Sequence, residues 1–131
     1  MLTETDSGVE YVMIGIGGIL GANGRYLVAN WAVQRTGASF PYGTFIINIS
    51  GAFALGLFMA FLQDRALVHA HYRLFFATGF CGAYTTFSTF TYESLRLFQD
   101  GSFFLGFTNL IGSVVIGMLG VFLGFVLGRM I

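Results

Sequence analysis

The sequence predicts an all-α integral membrane protein: four transmembrane helices, the third of them broken, paired as an antiparallel, dual-topology homodimer. Three observations carry this expectation. Of 131 residues 56% are hydrophobic and only 9% are charged, with a mean hydropathy of +0.78, whereas soluble domains carry about 25% charged residues. A globule this short cannot cover itself in water with so few polar side chains, so its surface must face lipid. Four long stretches free of acidic clusters and Lys then fall at about 11–33, 43–62, 73–98 and 102–129, each near the roughly 20 residues that cross about 30 Å of hydrocarbon. The third observation is a balance of arginines across the links between these stretches.

The first stretch begins after an acidic start (Glu4, Asp6, Glu10) that lacks the positive region of a signal peptide, so it is read as a retained span. It carries Asn23 and Arg25 in its second half. A link around 34–42 holds the only proline, Pro41, where the second helix is expected to start. The second stretch contains no charge. The third and fourth come after links at 63–72 and 99–102, and none of these links is long enough to separate domains. One four-span domain over 1–131 is expected. An even number of spans puts both termini on one side, with Arg65, Arg73 and Arg129 there and Arg25, Arg35 and Arg96 opposite. Lys and Arg bias normally sets orientation, and three against three sets none. A chain without bias can insert both ways, and opposite copies can then pair about an axis in the membrane plane; the alternative is one fixed orientation set by a helper or by weak flanking effects.

Glycine recurs at every fourth position in Gly120, Gly124 and Gly128, and again in Gly17 and Gly21. Such stripes let helix backbones approach closely in lipid. They predict a tight bundle and carry no chemistry. The single cysteine, Cys81, excludes an internal disulfide and a cysteine-based metal cluster. Zero net charge and the absence of Lys give no reason to expect a nucleic acid.

The chemistry concentrates in the third stretch. Thr85, Thr86, Ser88, Thr89 and Thr91 place five hydroxyls within seven residues, with Gly79 and Gly82 just before them. Gly and Thr are poor helix formers, and a break over 82–86 is expected, with Thr85 or Thr86 capping the second half of the helix. Irregular backbone at membrane depth survives only when buried in protein or lining a wet cavity, and broken helices are where transport proteins offer carbonyls to ions. The competing reading is an intact helix whose hydroxyls bond back to the preceding turn. Phe87 and Phe90 share a helix face; with sixteen Phe in the chain, composition alone reads the pair as packing. Asn48, Asn109 and Ser113 are polar groups inside other spans, either glue between helices or site donors. Arg25 and Glu93 are the charges nearest the membrane interior.

Taken together, Gly21-Ala22-Asn23-Gly24-Arg25-Tyr26, Pro41-Tyr42-Gly43-Thr44 with Asn48 and Gly51, and the run from Gly79 through Thr85-Thr86-Phe87-Ser88-Thr89-Phe90 to Glu93 resemble the fluoride-channel family known as Fluc or CrcB. The resemblance covers all four spans in order. It implies a passive, fluoride-selective channel in the cell inner membrane, exporting fluoride through two pores per dual-topology homodimer, and not an enzyme. It further implies that Phe87 and Phe90 line the pores, that Asn48 donates its amide to the ion, and that Ser88, Thr89, Thr91 and Ser113 form a hydroxyl track. Glu93 and Arg25 match the family's acidic position and its basic vestibule position. A structural Na+ at the dimer centre, held by backbone carbonyls of Gly82 and Thr85, is implied as well. Two positions depart from the family pattern: Ala83 stands where a second glycine is usual, and Leu105 where a polar residue often occurs, which bears on the outer track and Ser113. The partners expected are thus a second copy, fluoride and the lipid bilayer. A small multidrug-type, proton-coupled transporter would need a carboxylate in mid-first span, and none lies between Glu10 and Val33. A non-transporting assembly subunit would leave the polar run without a role.

Overall fold

Long apolar runs become long helices because the backbone satisfies its own donors and acceptors within each one. A computed structural model describes residues 4–63, 65 and 70–131, all of it helix and connecting turns with no strand among the described residues. The expected second link, 63–72, lies in part outside them. Helix α1 runs Glu4–Thr36 and α2 runs Tyr42–Gln63. A helical run then comprises α3 (Ala70–Arg73), a π-helical segment (Leu74–Cys81) and α4 (Gly82–Tyr84). After two non-helical residues, α5 spans Phe87–Gln99 and α6 spans Phe103–Met130.

Among the described residues, three helices are long and apolar enough to cross a membrane: Ser7–Thr36, Tyr42–Gln63 and Phe103–Met130. The stretch expected at 73–98 contributes no single helix of that length, because Thr85 and Thr86 interrupt it. Large apolar side chains point outward on α1 (Val12, Ile16, Ile19, Trp31) and on α6 (Phe104, Ile111, Met118, Phe122). That is the inverse of a soluble bundle, whose apolar stripe faces inward.

The seams between the helices are built from glycine and carbonyl oxygens. Helices α2 and α6 form the main packing pair, and α1 lies along the π segment. A Cβ added at Gly124 would collide with the Phe53 carbonyl oxygen, one at Gly128 with that of Leu57, and one at Gly56 with that of Val121. The stripe Gly120, Gly124, Gly128 is therefore a backbone-to-backbone seam. On the other side of the bundle, Gly17 and Gly21 abut the carbonyls of Phe75 and Phe80, and Gly79 abuts Ile14. The wider π backbone sits in that seam.

Turns are tight where the chain must reverse. At the end of α5 the Gly101 N–H donates to the Phe98 carbonyl at 3.1 Å and the Ser102 N–H to Leu97 at 2.9 Å, the pairing of a Schellman cap. Gly101 has φ of +77°, a region where a Cβ costs about 1–2 kcal/mol. Gly101→Val is accordingly expected to lower stability by about 1–2 kcal/mol, read as a drop in melting temperature in detergent; an unchanged melt would show that the turn tolerates the side chain.

Candidate functional site

The interruption between α4 and α5 organises the site. Thr85 is extended at φ −80° and ψ 158°, and Thr86 likewise at −149° and 119°. Thr86 then caps α5: its Oγ1 accepts the Thr89 N–H at 3.2 Å, satisfying a donor that the helix start leaves unpaired. The same hydroxyl donates to Thr89 Oγ1 at 3.1 Å and lies 3.4 Å from Ser88 Oγ. Other hydroxyls bond back along their own helices, in the manner of the competing reading. Thr85 Oγ1 donates to the Cys81 carbonyl at 2.8 Å, and Thr91 Oγ1 donates to those of Phe87 and Ser88.

Helix α2 holds the interruption from the side. Asn48 Oδ1 accepts the Thr86 N–H at 2.8 Å, and Asn48 Nδ2 donates to the Thr86 carbonyl at 3.0 Å. One turn further on, the bare Cα of Gly51 faces the Thr85 methyl and the Tyr84 ring, where any Cβ would collide. Ser50 Oγ lies 3.0 Å from the Tyr84 hydroxyl.

These bonds change what two carbonyls can do. In an uninterrupted helix the Gly82 carbonyl would receive the Thr86 N–H, and the Thr85 carbonyl would receive that of Thr89. Here Asn48 takes the first donor and the Thr86 hydroxyl takes the second. Gly82 and Thr85 are therefore two of the four carbonyls, with those of Ala83 and Tyr84 between them, whose helical partners the interruption removes, and Gly82 is exposed. Uncommitted carbonyl oxygens are the donor type suited to a hard alkali cation, so the residues present fit the sodium implied by the resemblance.

A groove of about 380 Å³ runs alongside, lined by Asn48, Gly51, Gly82, Thr85, Thr86, Phe87 and Phe90 among others. The two phenyl rings lie 6.0 Å apart at 53°. Phe90 is 7% exposed and Phe87 is 77% exposed, so one ring belongs to the interior of the bundle and the other projects from it.

The remaining expected site residues lie elsewhere. Ser88, Thr89 and Thr91 are exposed on α5 just beyond the groove. Ser113 sits on α6 and donates to Asn109 Oδ1 at 3.4 Å; Asn109 Nδ2 donates to Ser94 Oγ at 2.8 Å, and Ser94 donates to the Phe90 carbonyl at 2.8 Å. This buried relay ties α6 to the turn that carries Phe90. Glu93 lines a separate cavity of about 580 Å³ with Thr44, Arg96 and Asp100. Thr44 shares that cavity wall with the Glu93 carboxyl group, while Glu93 Oε2 is shielded and has no hydrogen-bond partner among the described residues. Arg25 is half-buried on α1 and lines neither cavity. Nothing in the sequence marks Ser94, and Thr44 figures in it only as the last residue of the Pro41–Thr44 motif, without a role. Each is a small hydroxyl whose importance comes from a neighbour on another helix, and no spacing within one helix signals that.

Comparison with known proteins places the chain in a family. Residues 12–125 match the family model described as CrcB-like protein, Camphor Resistance (CrcB). The chain is 41% identical over 121 residues to the fluoride-specific ion channel FluC of Solibacter usitatus, covering 92% of this chain and 99% of that one. It is 43% identical over 122 residues to the FluC protein of Dehalococcoides mccartyi, covering 93% and 94%. With that of Koribacter versatilis it shares 44% identity over 112 residues, covering 86% and 89%. Its apolar, outward-facing helices and these relatives lead to one conclusion: the chain is a multi-pass membrane protein of the CrcB family.

Proposed function

We propose that the protein is a passive, fluoride-selective channel that lets fluoride leave the cell across the inner membrane, built as an antiparallel, dual-topology homodimer with two pores. The observation that carries this reading is the interrupted helix beside Phe87 and Phe90, in a chain closely similar to proteins named as fluoride-specific channels. Support for the dual topology comes from the three-to-three arginine balance of the links. The exposure of Phe87 in the single chain supports a partner that meets it there.

Fluoride is small and holds its water strongly, so a pore must replace that water with donors while letting the ion leave. Hydroxyls and one amide do this without a fixed cation that would trap the ion. Phenyl rings offer weakly positive edges, which can flank an anion without binding it tightly. An amide nitrogen carries two N–H donors. Asn48 commits one to the Thr86 carbonyl, and the second is assigned to the passing ion. Ser88 and Thr89 extend the donor track along α5, Thr91 joins it only by releasing the hydroxyl proton it gives to the Phe87 and Ser88 carbonyls, and the Ser113–Asn109–Ser94 relay steadies the Phe90 backbone. Glu93, with Thr44, and Arg25 are assigned to the approaches. The Gly82 and Thr85 carbonyls of both protomers would hold a structural sodium, which would supply a fixed positive charge at the centre of the dimer. No residue undergoes covalent chemistry.

Liposomes loaded with fluoride and carrying the purified protein test the proposal. Rapid fluoride release, followed by electrode, with negligible release of chloride under the same gradient is the expected result. Drug-coupled proton movement without fluoride release would instead support a multidrug-type exchanger, and no transport at all an assembly subunit.

A further inference from the structure

We propose that Asn48 is a positioning residue of the helix interruption: by clamping both backbone groups of Thr86 it withholds the Thr86 N–H from the helical Gly82 carbonyl, so the cation-binding face is set within each protomer before two protomers meet. This inference rests on the sodium reading and gives Asn48 a second role beside donation to the ion.

The geometry of the clamp is selective for one backbone shape. In an extended residue the N–H and C=O point to the same side, whereas in a helix they point in opposite directions along the axis. A single side-chain amide can therefore engage both groups of one residue only when that residue is extended. Asn48 does so, at 2.8 Å and 3.0 Å, on a Thr86 with φ −149° and ψ 119°. Thr86 is 8% exposed, and a buried N–H will not stay without an acceptor. Remove Asn48, and the acceptor one helical turn back is the Gly82 carbonyl. The helix would heal by one residue, and the carbonyl offered to the cation would be consumed. The cap on Thr89 acts only downstream of Thr86 and leaves the fate of Gly82 to Asn48. Gly51 completes the device, since only a residue without Cβ admits Thr85 and Tyr84 this close to α2.

Two measurements test this. In wild-type dimers the Thr86 amide should exchange its hydrogen at least about tenfold more slowly than an unpaired amide, with or without sodium, reflecting a buried hydrogen bond of ordinary strength. Free exchange there would overturn the clamp, and this experiment needs no variant to fold. The second follows melting temperature against sodium concentration, with a bulky organic cation holding ionic strength constant. Asn48→Leu should move the sodium midpoint up by about tenfold or abolish the response. Asn48→Asp keeps an oxygen to accept the Thr86 N–H, so its midpoint should stay at or below the wild-type value while fluoride flux falls. A merely structural loss would lower melting at every sodium concentration and leave the midpoint in place, as would a role confined to donating to fluoride; either result overturns the proposal. If the wild type shows no sodium response, the sodium reading fails separately, and the exchange rate at Thr86 still decides the clamp.

Discussion

Gly124→Leu is expected to leave no stably folded protein in detergent, with a loss of about 3 kcal/mol or more. In lipid the helices gain nothing by hiding apolar surface from water, so association depends on van der Waals contact and close approach. A Cβ at Gly124 would strike the Phe53 carbonyl oxygen, and Gly56 and Gly128 make matching backbone contacts along the same seam. Side chains can rotate away from a clash, but a carbonyl fixed in a helix cannot. The leucine must then push α2 and α6 apart along their length, opening the main packing pair of the protomer. Gly117 provides the contrast on the same helix, because an added Cβ there meets nothing within 4 Å. Gly117→Ala should melt at or slightly above the wild-type temperature, since Ala is favoured over Gly inside a helix by about 1 kcal/mol. Melting curves and size-exclusion profiles of both variants check the pair. A well-folded Gly124→Leu protein would mean that α6 does not lie against α2 in this register.

That seam is legible in the sequence, since a small residue every fourth position on an apolar helix has few other physical uses. The outward apolar faces are equally plain from the shortage of charge. The hydroxyl run from Thr85 to Thr91 signals competition with the regular backbone ladder, and local propensity carries the reading no further. Thr85 and Thr86 are equivalent as caps on sequence grounds. The choice of Thr86 is made from α2, by an asparagine 38 positions away that bonds both of its backbone groups. The π geometry of Leu74–Cys81 is hidden for a similar reason. Its residues are ordinary apolar ones, and the geometry occurs where the Gly17, Gly21 and Gly79 backbones press together. The Ser94–Asn109 bond likewise joins two helices. Periodicity within a helix reports its faces, and these features depend on which faces meet.

Phe87→Ile should cut fluoride efflux by about tenfold, equivalent to about 1.4 kcal/mol on the barrier, while leaving the protomer's melting temperature nearly unchanged. The two halves of this expectation have separate causes. At 77% exposure, Phe87 contributes little to the protomer's own packing, so replacing it with another apolar residue removes few internal contacts. What Ile lacks is the ring's positive edge, and a branched aliphatic side chain offers a desolvated anion nothing in return for its water. Phe90 differs because it is 7% exposed and lies against the Ser94–Asn109 relay through its own carbonyl. Phe90→Ile should therefore lose a similar factor in flux and also destabilise the fold by up to about 1.5 kcal/mol, the usual range for an apolar swap of changed shape in a packed site. Initial efflux rates from liposomes holding equal amounts of each variant, set beside melting curves in detergent, separate the two contributions. Wild-type efflux from Phe87→Ile would reduce that ring to interface packing. An equal loss of stability in both variants would mean that Phe87 is buried by the partner protomer and acts there as structure rather than as pore lining.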